Sequence, residues 1–243
     1  MLDAKEGNRG RTILIAVAIL ALAIVAGGYL LGDGLRRARM ADRAVTMRGL
    51  AERNVTADLA TWSLNFNASG TDLAEVQGRI DRDQRTIQDF FRTAGFPAAA
   101  LTDGGGTINA VYDNDRQATI ITINRSLNFR TNDVMRAQRA YLRQFDLIRS
   151  GVQLDGSGMN YSFTRLNDVK PALIGESIQD ARRAAERFAQ DSGASVGAIR
   201  SATQGYFSIG ARDGDADTEG GSSGSSTPLQ KVRVVTTIEF YLG

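Results

Sequence analysis

The densest run of side chains able to gather around a cation is Asp213, Asp215 and Asp217, followed by Glu219. Alternating carboxylates at positions 1, 3 and 5 resemble the start of a calcium loop. The pattern then fails where that chemistry is strictest. Position 6 is Thr218 in place of the turn glycine, and position 12 is Gly224 in place of a bidentate glutamate. The run sits in "ARDGDADTEGGSSGSSTP", residues 211–228, which reads as a flexible acidic loop between two strands. A second run, "DGGGT" at residues 103–107, has the glycines of a phosphate cradle. It lacks the spacing of a nucleotide loop and leads into a strand, so it reads as a flexible turn. A third group is Glu176, Asp180 and Glu186, interleaved with Arg182, Arg183 and Arg187. Paired carboxylates can serve as acid and base. At helical spacing beside arginines, they read as surface pairs that support the helix.

The residue types that are missing exclude more. The chain has no Cys and no His. Thiol nucleophiles, imidazole bases, disulfides and Cys/His zinc sites are therefore ruled out together. No ordered set of Ser, Tyr, Lys and carboxylate replaces them. The expectation is a protein that is not an enzyme, with no catalytic residues, no bound cofactor and no metal.

The elements that would position such groups are legible from their periods. Ala60, Trp62, Leu64, Phe66 and Ala68 alternate with Thr61, Ser63, Asn65 and Asn67, which is a strand with one buried face. Trp62 on that face is a core residue. Val232, Val234, Thr236, Ile238, Phe240 and Leu242 mark a terminal strand in the same way. "TINAVYDNDRQATIITINRSLNF" reads as a hairpin turning at Asp113, Asn114 and Asp115.

Three helices interleave. The first carries Leu73, Val76, Ile80, Ile87, Phe90 and Phe91, capped by Thr71 and stopped by Gly95. The second carries Val134, Ala137, Tyr141, Phe145 and Ile148, capped by Asn132 and stopped by Gly151. The third carries Ile174, Ile178, Ala181, Ala185 and Phe188, with Pro171 in its first turn and Gly193 at its end. Pairs of strands between single helices predict an α+β fold: mainly antiparallel sheet with three helices packed on one face.

Residues 12–31 form an uncharged apolar run of 20 residues. As a helix it would span roughly 30 Å, the thickness of a bilayer core. A cleaved signal would have a shorter apolar stretch. The expectation is an N-terminal transmembrane helix over 12–31, after a short tail at 1–11 and before a basic connector at 32–43. The domain then runs from 44 to 243. Charge agrees with this division. Residues 1–43 hold seven Lys/Arg and four Asp/Glu, whereas the rest holds 22 and 23. The basic excess flanks the apolar run, where Arg36, Arg37, Arg39 and Arg43 would meet anionic headgroups. The domain itself has no surplus to support nucleic-acid binding. Those four arginines outnumber Lys5, Arg9 and Arg11 before the run and count against an exported domain. The short tail and the absence of Cys favour one.

"VTMRGLAERNVTADLATWSLNF", "INRSLNFRTNDV", "ESIQDARRAAERFAQDSGASVGAIRSATQG" and "VRVVTTIEFYL", taken in order, resemble the SIMPL-domain family over about residues 44–243. The resemblance implies export to the bacterial envelope or periplasm and, in some members, large homo-oligomers or a link to oxidative stress. It supplies no catalytic residues. Two features depart from it: the acidic loop and the apolar run. The reading is thus a single-pass protein of the bacterial inner membrane with its domain in the periplasm. That domain would act structurally as a homo-oligomer. The alternative is a periplasmic ligand-binding or protective module.

Overall fold

The computed structural model describes residues 20–32, 43–213 and 225–243. Helix α1 covers residues 20–32. The elements that follow are β1 (Ala44–Thr56), β2 (Leu59–Gly70), α2 (Leu73–Thr93), β3 (Leu101–Asp113), β4 (Ala118–Thr131), α3 (Val134–Leu142) and α4 (Phe145–Arg149). After these come β5 (Leu154–Ser162), α5 (Leu166–Ser192), β6 (Val196–Ala211) and β7 (Leu229–Leu242).

The expected α+β class with antiparallel pairing holds, but the predicted architecture needs correction on three points. The strands form two sheets in place of one, a four-stranded sheet ordered β3-β4-β2-β5 and a three-stranded sheet ordered β1-β7-β6. Among the described residues of 44–243 there are four α-helices, not three, because the second expected helix breaks at Arg143 and Gln144 into α3 and α4. The third correction is the N-terminal transmembrane helix. Among the described residues no helix is long and apolar enough to cross a membrane. The thirteen described residues of α1 reach about 20 Å, against the roughly 30 Å of a bilayer core. Residues 12–19 of the apolar run lie outside the described residues, as do the 1–11 tail and Arg36, Arg37 and Arg39 of the connector.

Two compact units divide the described residues: those within 50–177 and 205–235, and those within 1–49, 178–204 and 236–243. The larger unit contains the four-stranded sheet. Trp62, Leu64, Phe66 and Ala68 on β2, with Ile123, Leu127 and Phe129 on β4, turn their side chains to one face. Val76, Ile80, Ile87 and Phe91 of α2, Val134, Ala137 and Ala140 of α3, and Leu147 of α4 cover that face. Trp62 is the hub. Its ring stands edge-on to Phe91 at 5.2 Å and to Tyr141 at 5.1 Å, and its Nε1 donates to Ser157 Oγ at 2.7 Å. Each large side chain buried this way contributes about 1.5–3 kcal/mol. A second cluster in the same unit joins Leu173 to Ala51, Val232 and Val234. In the smaller unit, Ala181 and Ala185 of α5 pack on Ile238 and Phe240 of β7.

The helix stripes differ from expectation in detail. Asp72, not Thr71, caps α2, its side chain accepting from the Glu75 N–H at 3.0 Å. Asp133, not Asn132, caps α3 in the same way through Arg136 N–H. The break before α4 shifts the helical phase, so Leu147 is buried while Phe145 and Ile148 are exposed. Helix α5 starts before Pro171 and buries Leu173, Ser177, Ala181, Ala185 and Ala189, an i,i+4 stripe. Ile174 and Ile178 are only partly buried there, and Phe188 is exposed.

Candidate interaction surface

The second face of the four-stranded sheet is polar because the strands alternate. Thr61, Ser63, Asn65, Asn67 and Ser69 of β2 lie opposite Arg130, Asn128, Ser126, Asn124 and Thr122 of β4. Ser63 Oγ donates to Asn128 Oδ1 at 3.2 Å, and Ser69 and Thr122 share a hydroxyl bond of 2.9 Å. Asn124 Nδ2 reaches Thr107 Oγ1 on β3 at 3.4 Å. Nine of these ten facing side chains are neutral donors and acceptors. Such a face offers hydrogen-bond donors and acceptors and carries no carboxylate, imidazole or thiol among these ten residues.

The run "DGGGT" lies inside β3 and is not the flexible turn expected. It forms a bulge, where the pairing shifts register between Asp103 and Gly105. Asp103 Oδ1 accepts from the Gly105 N–H at 2.8 Å, and Asp103 Oδ2 pairs with Arg125 at 2.6 Å. The glycines are required here. A Cβ on Gly104 would lie 2.3 Å from Ser126 Oγ, one on Gly106 would lie 2.5 Å from the Asn124 carbonyl, and Gly105 has a φ of +87°. Beside the bulge is an open depression bordered by Asn65, Asn124, Ser126, Arg125 and Asp155.

Through the bulge and past it, every residue from Thr102 to Tyr112 is exposed, on both faces of the sheet. Ile108, Val111 and Tyr112 keep 64%, 56% and 55% of their surface in water. β3 ends the sheet order, so among the described residues no strand pairs with its outer edge. β6 ends the other sheet and is exposed from Ala198 to Tyr206.

The carboxylates singled out by sequence do not assemble. Glu176 pairs with Arg53, Asp180 with Arg183 at 3.1 Å, and Glu186 with Arg182 at 3.1 Å, all on exposed surface. Asp213 is the last described residue before the acidic loop, and Asp215, Asp217 and Glu219 lie outside the described residues. Among the described residues no group of three His, Cys, Asp or Glu side chains could hold a metal ion.

Among the described residues, three groups titrate away from their ordinary values. Burial raises the Asp83 carboxyl, with Arg79 and Arg82 offsetting part of that. Burial also pushes Asp58 up, but the Thr164 N–H, the Thr164 side chain and Arg165 outweigh it and leave the carboxyl below its usual range. Tyr161 is raised to about 12 by burial, with a smaller push from Tyr141, so its hydroxyl stays neutral. None of the three adjoins another reactive group in an acid–base arrangement. Sequence reasoning passed over Asp83, although its spacing from Ile80 and Ile87 puts it on the buried stripe. It also passed over the uncharged run from Gly104 to Tyr112.

A family match covers residues 45–240 with the description "SIMPL: Protein of unknown function (DUF541)". The chain belongs to the SIMPL family. Within this SIMPL domain lie β1 from its second residue, both sheets, and β7 as far as Phe240. No curated protein matches it. Among solved structures, the SIMPL chain is matched to a crystal structure of a hydrolase from Listeria innocua at 14% identity. The match covers 79% of this chain and 91% of that one with a TM-score of 0.20. A likeness at that level carries no argument about fold or activity.

Proposed function

We propose that this SIMPL protein is a structural component of the bacterial envelope whose domain lies outside the cytoplasm and self-associates. The observation that carries the reading is the pair of long sheet-end strands, β3 and β6, each with about ten consecutive residues exposed on both faces. Exposed sheet edges invite pairing with another chain unless charge, proline or a covering segment blocks them. The absence of His and Cys and the dispersal of the carboxylates support a role without chemistry. The uncharged run at residues 12–31 supports export of the chain from the cytoplasm.

The test is the mass of the full chain in mild detergent by light scattering, across a range of concentrations. A discrete particle of several copies is expected. A monomer throughout would overturn the proposal. Placement is tested separately by protease added after the outer envelope is opened. The domain should be digested while cytoplasmic markers survive.

A second reading, a ligand-binding module, is favoured by the depression beside the β3 bulge. Neutral amides and hydroxyls converge there next to Arg125, whose buried Nε has no hydrogen-bond partner. A small polar ligand that raises the melting temperature, and loses that effect in Arg125→Gln, would favour this reading.

A further inference from the structure

We infer that the outer edge of β3, from Gly105 to Asp113, is the contact through which two copies join. In this pairing the two β3 strands lie antiparallel about a twofold axis beside Asn109, fusing two four-stranded sheets into one of eight strands. This rests on the self-association reading and assigns it an interface.

The four sheet-end strands are not equally protected. β1 carries Arg48, Glu52 and Arg53 along its length. β5 is nine residues long, and near its end Tyr161 exchanges two backbone hydrogen bonds with Ser225, of 2.8 and 2.9 Å. β6 carries Arg200 in mid-strand, paired with Glu239 at 3.3 Å and stacked over Tyr241. β3 has none of these devices. Between Asp103 and Asp113 it has no charge and no proline, and its bulge lies at one end, leaving Gly105–Asp113 in regular register with β4. A row of backbone donors and acceptors nine residues long is thus presented without a charged side chain to discourage pairing.

A second copy fits this strip because the strip is complementary to itself. Residues directly opposite in an antiparallel pair share a face. On the face where Gly106, Ile108 and Ala110 oppose Arg125, Ile123 and Ile121 of β4, a twofold at Asn109 sets Ile108 against Ala110 of the other copy and Tyr112 against Gly106. Large residues thereby meet small ones. On the other face Val111 meets Thr107, a β-branched pair, and Asn109 meets itself. Charge excludes one neighbouring register. Moving the axis to Ile108 would set Asp103 against Asp113 of the other copy. With the axis at Asn109, Asp113 faces Gly105. Each acid is already partnered within its own chain, Asp103 by Arg125 at 2.6 Å and Asp113 by Arg116 at 3.6 Å. The pairing would also cover Ile108, Val111 and Tyr112, whose exposure is otherwise unexplained.

Because the chain has no cysteine, a single introduced thiol reports proximity without background. In the full chain in mild detergent, Asn109→Cys under gentle oxidation should give a disulfide-linked dimer. Opposed residues on antiparallel strands lie about 4.5–5.5 Å apart between Cα atoms, within disulfide range. Asp115→Cys, in the turn, should not cross-link. Val111→Lys should at least halve the particle mass in light scattering and leave circular dichroism unchanged. Hydrogen exchange at residues 106–112 should slow as concentration rises. If the wild type is a particle of several copies but Asn109→Cys stays unlinked and Val111→Lys keeps its mass, the β3 contact is wrong and self-association stands. If the wild type is monomeric, both fall. Protection of β3 that does not change with concentration would mean that a segment of the same chain covers the edge, and it too would overturn the inference.

Discussion

Asp83 and Asp58 are two carboxylates of one domain that respond to acid in opposite ways. Asp83 lies on the buried stripe of α2 between Ile80 and Ile87, 8% exposed, and its Oδ2 has no hydrogen-bond partner. Its folded pKa is raised by burial, so the folded state carries a penalty when the carboxyl is ionised. That penalty is present at neutral pH, fades as pH falls through the raised value, and is gone below the unfolded value of 3.8. Asp83→Asn should therefore stabilise the domain by about 1 kcal/mol at pH 7. The gain should vanish near pH 4 in parallel thermal melts. Asp58 behaves in the reverse sense. Its Oδ1 accepts from the Thr164 N–H at 2.8 Å and its Oδ2 from Arg165 at 3.2 Å, tying the β1–β2 turn to the start of α5. Its folded pKa is lowered, so its contribution is full above the unfolded value and is lost as pH falls through the folded one. Asp58→Ala should cost about 1–3 kcal/mol at pH 7 and progressively less in acid.

At the scale of elements, the sequence pattern located β2, β7 and the β3–β4 hairpin but not every helical phase. β2 announced itself because Trp62, Leu64, Phe66 and Ala68 alternate with hydroxyls and amides, and a period of two has one solution. The stretch from Val134 to Arg149 has two. Read as one helix, it buries Phe145 and Ile148. With a break at Arg143 and Gln144 the phase turns, and Leu147 becomes the inward residue. Across the break the backbone keeps i,i+3 bonds, Arg143 N–H to the Ala140 carbonyl and Asp146 N–H to the Arg143 carbonyl, both 2.9 Å, while Leu147 joins the Trp62 cluster. Helix α5 misled for a related reason. Its inward positions hold Ser177 and three alanines, small residues that allow close packing and give a weak apolar signal, while Phe188 lies outside. The polar sheet face was legible residue by residue, but the exposure of β3 on both sides depends on which elements lie against it. The α4 phase has a direct test. Leu147→Ala should destabilise by about 2–5 kcal/mol in chemical denaturation, and Phe145→Ser should stay within about 0.5 kcal/mol of wild type. Equal losses would restore the single-helix phase.

At the scale of the whole molecule, the order in which the chain supplies its cores predicts how it assembles. The largest apolar cluster, centred on Trp62, is built entirely from residues 57–161. The other two clusters both need β7: Val232 and Val234 in one, Ile238 and Phe240 in the other. β7 is the last strand in the sequence and the central strand of its sheet, between β1 and β6. Its first and last turns of pairing reach far along the chain, as in the bond from Leu242 N–H to the Arg43 carbonyl at 2.9 Å. Contacts of that separation form late, because the loop they close must be ordered before they repay it. A chain ending at Pro228 should therefore keep a folded four-stranded sheet. Amides in β2, β4 and α2 should stay protected in hydrogen exchange, while those of β1, β6 and α5 exchange freely. Tyr161 would lose the bond from Gln230 Nε2 to its carbonyl at 2.8 Å, so β5 should be the weakest strand of what remains. Uniform loss of protection across residues 57–161 would show instead that the cores fold as one cooperative unit, with β7 required by all of them.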